Sequence, residues 1–182
     1  MPEQCVPTAQ TLCAPKDLYT SLRAAWDILI QDSTCTRASL LVLLAHWALE
    51  TGFGHYCWCW NIANKKHVPG DGHSYYMIRC NEVVGGQVKW YDPPDPATWF
   101  IAYDNLDDGA RDYLVGLRGR FRAAWPAVVA GDPAQFCHLL KLADYYTADE
   151  ATYTASVVRC YHQLDKIIVE PDSMIETADP AI

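Results

Sequence analysis

Residues 38–54 read ASLLVLLAHWALETGFG, and this stretch decides the fold. From Ala38 to Leu49 it contains no Asp, Glu, Lys or Arg. A helix that is apolar nearly all round belongs in the interior of a domain. One carboxylate, Glu50, closes the run just before Gly52 and Gly54 mark a turn. The negative end of the helix dipole makes this a poor place for a carboxylate that serves stability alone. A carboxyl held there against apolar groups loses water, which disfavours its charged form and raises its pKa. That environment suits a general acid working near neutral pH.

Outward from this helix the pattern stays helical on the N-terminal side. Leu18, Leu22, Ala25, Trp26 and Leu29 recur at helical spacing and predict a first helix over 16–31. Ser33 or Thr36 supplies a cap for the helix ending at Glu50. Residues 55–73 are polar, aromatic and punctuated by Gly and Pro, which reads as a loop. The stretch YYMIRCNEVV (75–84), Gly85-Gly86 and QVKWY (87–91) predict two strands around a tight turn. Helices are expected again over 107–124, 133–142 and 149–164. The expected architecture is mainly α (α+β): a helical body with a small inserted β-hairpin lobe, the two flanking a cleft. The expected organisation is an irregular segment over 1–15, one domain over 16–168 and a flexible acidic tail over 169–182.

Composition sets outer bounds. A chain of 182 residues, 51% apolar, fits one domain able to bury its own core. Its net charge of −8, with no row of Lys and Arg, argues against a nucleic-acid partner. Basic residues do gather over 111–122, at the spacing of an exposed helix face. No stretch reaches the roughly 18 uncharged apolar residues of a membrane span. The eight cysteines, an even number, predict an oxidising compartment. The expected pairs are Cys5 with Cys13, Cys80 with Cys57 or Cys59, and Cys137 with Cys160. The first 30 residues show no apolar signal-peptide core. The chain is then expected to be either a mature or excised domain or one that leaves the cell by a route that reads no cleavable signal.

Four blocks then carry a resemblance. They are Leu49-Glu50-Thr51-Gly52-Phe53-Gly54; Trp60-Asn61-Ile62-Ala63-Asn64-Lys65-Lys66; residues 100–113, FIAYDNLDDGARDY; and residues 145–153, YYTADEATY. In this order the chain resembles the glucosaminidase branch of the lysozyme-like peptidoglycan hydrolases. That branch has an LE[ST]GWG-like motif, an aromatic-Asn segment ending in Lys, an FRxYxSxEEGxxDY-like stretch and a YATDPxYA-like segment. Asn64 stands where the family has Gly, and Asn best tolerates the left-handed backbone that such a turn needs. Phe53 replaces the usual Trp.

The resemblance implies a lysozyme-like helical domain that hydrolyses β-1,4 bonds between N-acetylglucosamine and N-acetylmuramic acid, with no cofactor and no metal. Its partners would be peptidoglycan glycan strands. Glu50 would be the general acid. Glu82, on the hairpin flap, or the substrate's own amide would be the second participant. Tyr146 would support them, with Tyr145 beside it. Asn61 and Asn64 would bind sugar hydroxyls. Trp58, Trp60, Tyr75, Tyr76 and Trp90 offer flat faces for sugar rings. Exported without a recognisable signal peptide and rich in cysteine, such an enzyme would act in the periplasm or the extracellular cell wall, as an antibacterial effector or a lytic enzyme of phage type. Either would imply an immunity or inhibitor protein filling the cleft.

Three other readings remain. His55, Cys57, Cys59, His67, His73 and Cys80 carry zinc-ligand chemistry without a zinc-motif spacing. A wall-binding module without turnover would keep the cleft. A Cys–His nucleophile would draw on Cys57 or Cys59 with His46, His55 or His138, although neither cysteine opens a recognisable helix.

Overall fold

The computed structural model describes residues 3–169, apart from the side chains of residues 82–84. Of the tail expected over 169–182, residues 170–182 lie outside the described residues. The chain order is α1 (Pro15–Leu29), α2 (Arg37–Thr51), β1 (Tyr75–Met77), β2 (Cys80–Val84), β3 (Gln87–Tyr91), β4 (Trp99–Ile101), α3 (Leu106–Gly119), α4 (Trp125–Ala130), α5 (Pro133–Leu142) and α6 (Glu150–Ile167).

The apolar run forms α2, the axis of the helical body. Thr36 caps it: its hydroxyl accepts from Ser39 N at 3.1 Å, and Ser39 Oγ accepts from Thr36 N in return. Every residue from Leu40 to Ala48 is buried, because α1, α4, α5 and α6 pack around this helix. Gly52 ends it at φ +56° in the left-handed region, where glycine carries no steric penalty. Gly54 then passes so close to Cys13 that a Cβ would lie 2.5 Å from the Cys13 carbonyl oxygen.

Helix α1 lies against α3, and α5 against α6. Asn105 caps α3 through Asp108 N at 2.9 Å, and Asp132 caps α5. Two departures from expectation concern proline and strand length. The helix expected to run to 124 stops at Gly119, and a separate helix, α4, follows a single 3₁₀ turn over Arg122–Ala124. Pro126 sits in the first turn of α4, where its missing N–H has no partner to lose. The expected hairpin is also divided. Only β2 and β3 form it, with Val84 opposite Gln87 across Gly85-Gly86, both at positive φ. β1 turns away and pairs antiparallel with β4, Tyr76 opposite Phe100. At three residues, β4 is too short for strand alternation to show.

The segment before α1 bridges the two parts. Val6 N donates to Tyr75 O at 2.8 Å, and Cys59 N donates to Ala9 O at 2.8 Å. The large core lies among the helices. A smaller one, built on Cys59, Tyr76 and Phe100, lies under the β1–β4 ribbon.

The expected disulfides do not form. Cys5 is an exposed free thiol, while Cys13 is buried in the helical core. Cys57 and Cys59 are free thiols held by the N-terminal segment: Thr11 Oγ1 lies 3.6 Å from Cys57 Sγ, and Ala9 N donates to Cys59 Sγ at 3.4 Å. Neither is joined to Cys80. Cys137 and Cys160 are buried free thiols packed as small apolar groups. Burial pushes the Cys13 and Cys137 thiols up to about 12, which keeps them protonated and unreactive. Among the described residues no helix is long and apolar enough to cross a membrane.

Candidate active site

Glu50 stands in the last turn of α2 and lines a cleft of about 890 Å³ between the helices and the strand lobe. Its side chain is 26% exposed, so the carboxylate is open to the cleft on one side and walled on the other. Oε1 accepts a hydrogen bond from Tyr153 Oη at 2.7 Å. On the α2 side, His46 Nε2 lies 3.6 Å from the same oxygen. The Glu50 main-chain carbonyl accepts from Asn64 Nδ2 at 3.1 Å, which ties the loop after α2 to the helix end. Asn64 has φ +49°, the left-handed conformation anticipated for it.

The surroundings keep the phenols protonated. Burial, and then the neighbouring Glu50, push the Tyr153 and Tyr145 hydroxyls above the ordinary phenol value. Tyr153 is therefore a hydrogen-bond donor to the Glu50 carboxyl group. Tyr146 stacks on its ring, with centroids 3.7 Å apart and planes 11° from parallel. His46 is fully buried; its Nδ1 meets Tyr113 Oη at 2.7 Å, and burial lowers its pKa.

The cleft floor is built by the loop after α2. Asn61 is fully buried and its amide is spent on the backbone: Nδ2 donates to Lys65 O and Ile101 O at 2.9 Å each, and Oδ1 accepts from Lys65 N at 2.8 Å. Lys65 Nζ meets both oxygens of Asp112 at 2.9 and 2.7 Å, and Tyr103 Oη donates to the same carboxylate at 2.6 Å. Gly109 lets α3 approach: a Cβ there would fall 2.2 Å from the Trp60 carbonyl oxygen.

The residues picked from the sequence divide into two groups. Glu50, Trp58, Asn61, Asn64, Tyr76 and Tyr145 line the cleft together. Tyr146 lies behind Tyr153, with its hydroxyl donating to Cys137 O at 3.0 Å. Tyr75 stacks on Trp99 at 4.5 Å, and Trp90 is exposed on the hairpin beneath Arg79. Trp60 is half-buried and meets α3 through its carbonyl. Glu82 pairs with Lys89 in the hairpin ladder, and its side chain lies outside what the structure describes. Tyr153, Tyr113, Tyr103 and Asp112 stand in the blocks that carry the resemblance but were given no role from the sequence, and His46 was given no place beside the carboxylate. The i, i+4 spacing of His46 and Glu50 was the available signal.

The crowd of possible zinc ligands does not converge. Among the described residues, one group of three or more His, Cys, Asp and Glu brings its ligand atoms within 4.8 Å of one another: Glu3, His67 and Asp71. Of the crowd it contains His67 alone. Its carboxylates already accept from Gly70 N and Gly72 N, and from Val68 N and His73 N.

Fold and cleft define a mainly α, lysozyme-like domain with a carboxylate at the end of its central helix. Among solved structures the chain is similar to a C-terminally truncated glycoside hydrolase domain of FlgJ from Salmonella typhimurium. That match has 21% identity and a TM-score of 0.56, over 85% of this chain and 99% of that one. It is also similar to a mutant peptidoglycan hydrolase from Sphingomonas sp. A1, at 22% identity and a TM-score of 0.54, over 81% and 96% of the two chains. The sequence matches no family model and no curated protein.

Proposed function

We propose that this protein is a peptidoglycan glycoside hydrolase in which Glu50 is the general acid. The observation that carries the reading is the carboxylate itself, partly open to a large cleft and held on its inner side by Tyr153 at 2.7 Å. The fold shared with glycoside hydrolase domains supports it. Glu50 protonates the glycosidic oxygen as the bond to the anomeric carbon breaks. Asp112 also lines the cleft, but Lys65 and Tyr103 occupy its oxygens. The second participant is the acetamido oxygen of the substrate or Glu82 of the β2–β3 hairpin. Attack on the anomeric carbon by the acetamido oxygen forms a cyclic intermediate that water opens, with Glu50 taking the water's proton. Glu82 acting as base would instead take the proton of a water that attacks the anomeric carbon directly.

The bond cut is a β-1,4 link between N-acetylglucosamine and N-acetylmuramic acid. Its place of action follows from that substrate, the cell wall, where an antibacterial effector or a lytic enzyme would meet it. Digestion of purified peptidoglycan, borohydride reduction and mass spectrometry of the soluble fragments test this. Fragments ending in reduced N-acetylglucosamine identify a glucosaminidase, and those ending in reduced N-acetylmuramic acid a muramidase. Glycan chains left uncut contradict the proposal.

A further inference from the structure

Buried polar groups are nearly all hydrogen-bonded, so an unpaired buried ring nitrogen calls for a reason. His46 Nε2 is such an atom, and it faces Glu50 Oε1 at 3.6 Å, just beyond hydrogen-bond reach. We infer that His46 is a positioning residue for Glu50, a neutral imidazole whose Nε2–H closes on the carboxylate when it becomes charged. The inference rests on Glu50 acting as the acid.

The tautomer follows from the neighbours. Tyr113 Oη lies 2.7 Å from Nδ1 but 3.5 Å from Leu43 O, so the phenol proton goes to Nδ1. The imidazole proton is then on Nε2. Once Glu50 has given up its proton, the other tautomer would aim a bare nitrogen lone pair at a carboxylate oxygen. The groups facing the ring come from four places: Tyr113 on α3, Phe136 on α5 at 5.4 Å, Tyr145 after α5 at 4.9 Å, and Glu50 on its own helix. Tyr153 on α6 reaches it through Glu50. Burial pushes Tyr113 and Tyr145 up and His46 down, so all three are uncharged at neutral pH. Proton donation to the leaving group turns the Glu50 carboxyl into a carboxylate. Two donors then meet it, Tyr153 Oη and His46 Nε2, and fix it to receive the proton from water.

The test compares wild type, His46→Gln and His46→Leu on soluble glycan chains released from peptidoglycan. The Gln amide restores an N–H on the same face, whereas Leu restores only bulk. The expected result is a 10- to 100-fold loss of kcat in His46→Leu with KM within about twofold, and recovery to within about fivefold in His46→Gln. Equal kcat in all three, or a Gln variant as slow as the Leu variant, would overturn the role while leaving the hydrolase reading intact. A wild type without turnover would overturn both. Should His46→Leu fail to fold, ¹⁵N NMR of the wild-type imidazole decides. A neutral ring protonated on Nε2 between pH 6 and 8 supports the inference, and a ring protonated on Nδ1 overturns it.

Discussion

Tyr153 donates a 2.7 Å hydrogen bond to Glu50 Oε1 across 103 positions of sequence. One residue belongs to α6 and the other to the end of α2, so the bond exists because these two helices pack along each other. Tyr146 supports the Tyr153 ring from behind. The position of the carboxylate is thus set by helix packing rather than by its own loop.

Tyr153→Phe keeps the stacked ring and removes only the donor. A hydrogen bond to a charged group contributes about 1.5–3 kcal/mol, so kcat/KM should fall about 10- to 100-fold. Thermal melting should stay within a few degrees of wild type, because Glu50 can turn toward water. Reducing ends released from peptidoglycan give the rate, and a wild-type rate would remove Tyr153 from the account.

Asn61→Ala separates a structural role from sugar binding. The Asn61 amide makes three hydrogen bonds to backbone in a buried position. Removing it strands those groups, at about 1–3 kcal/mol for each group left unsatisfied. A melting temperature lowered by more than 5 °C is expected. An unchanged melting curve with a raised KM would instead make Asn61 a sugar ligand.

Two pieces of local structure around the candidate site were legible in the sequence. Helix α2 stood out because its apolar run leaves no solvent face, and Gly52 marks its end. The Asn64 turn was legible because few other side chains tolerate its backbone angles. Which of Tyr145, Tyr146 and Tyr153 reaches Glu50 was not, since that depends on how α2 and α6 lie together. The partner of β1 was equally hidden, because Trp99–Ile101 is too short to show a strand pattern. The cysteines misled because buried thiols and cross-linked ones look alike in a sequence.

Gly109→Ala tests the seam between α3 and the cleft floor. Its Cβ would sit 2.2 Å from the Trp60 carbonyl oxygen, a backbone atom with little room to yield. Overpacking of this kind costs about 1–3 kcal/mol. Chemical denaturation should show a loss of that size, and Gly116→Ala on the same helix, with open space around it, should not. Equal stability of the two variants would contradict the close approach.

His46 carries a pH prediction. Burial holds its folded-state pKa below the ordinary 6.5, while the unfolded chain takes up the proton at the ordinary value. The unfolded state therefore binds more protons below pH 6.5, and this contribution falls by up to about 1.4 kcal/mol per pH unit as pH drops toward the folded pKa. His46→Gln has no group there to titrate. Wild-type stability measured relative to His46→Gln should hold from pH 8 to 6.5 and decline from there to 5. Parallel curves would mean that His46 is not held neutral by burial.

The most direct test of the central claim is digestion of purified peptidoglycan by wild type and by Glu50→Gln, with soluble reduced muropeptides read by mass spectrometry. The substitution keeps the size of the side chain and its bond from Tyr153 but removes the acid. Glu50 as general acid predicts muropeptides from the wild type and a loss of at least about 100-fold in the variant, which still sediments with the wall. Equal release by the two proteins would contradict the mechanism.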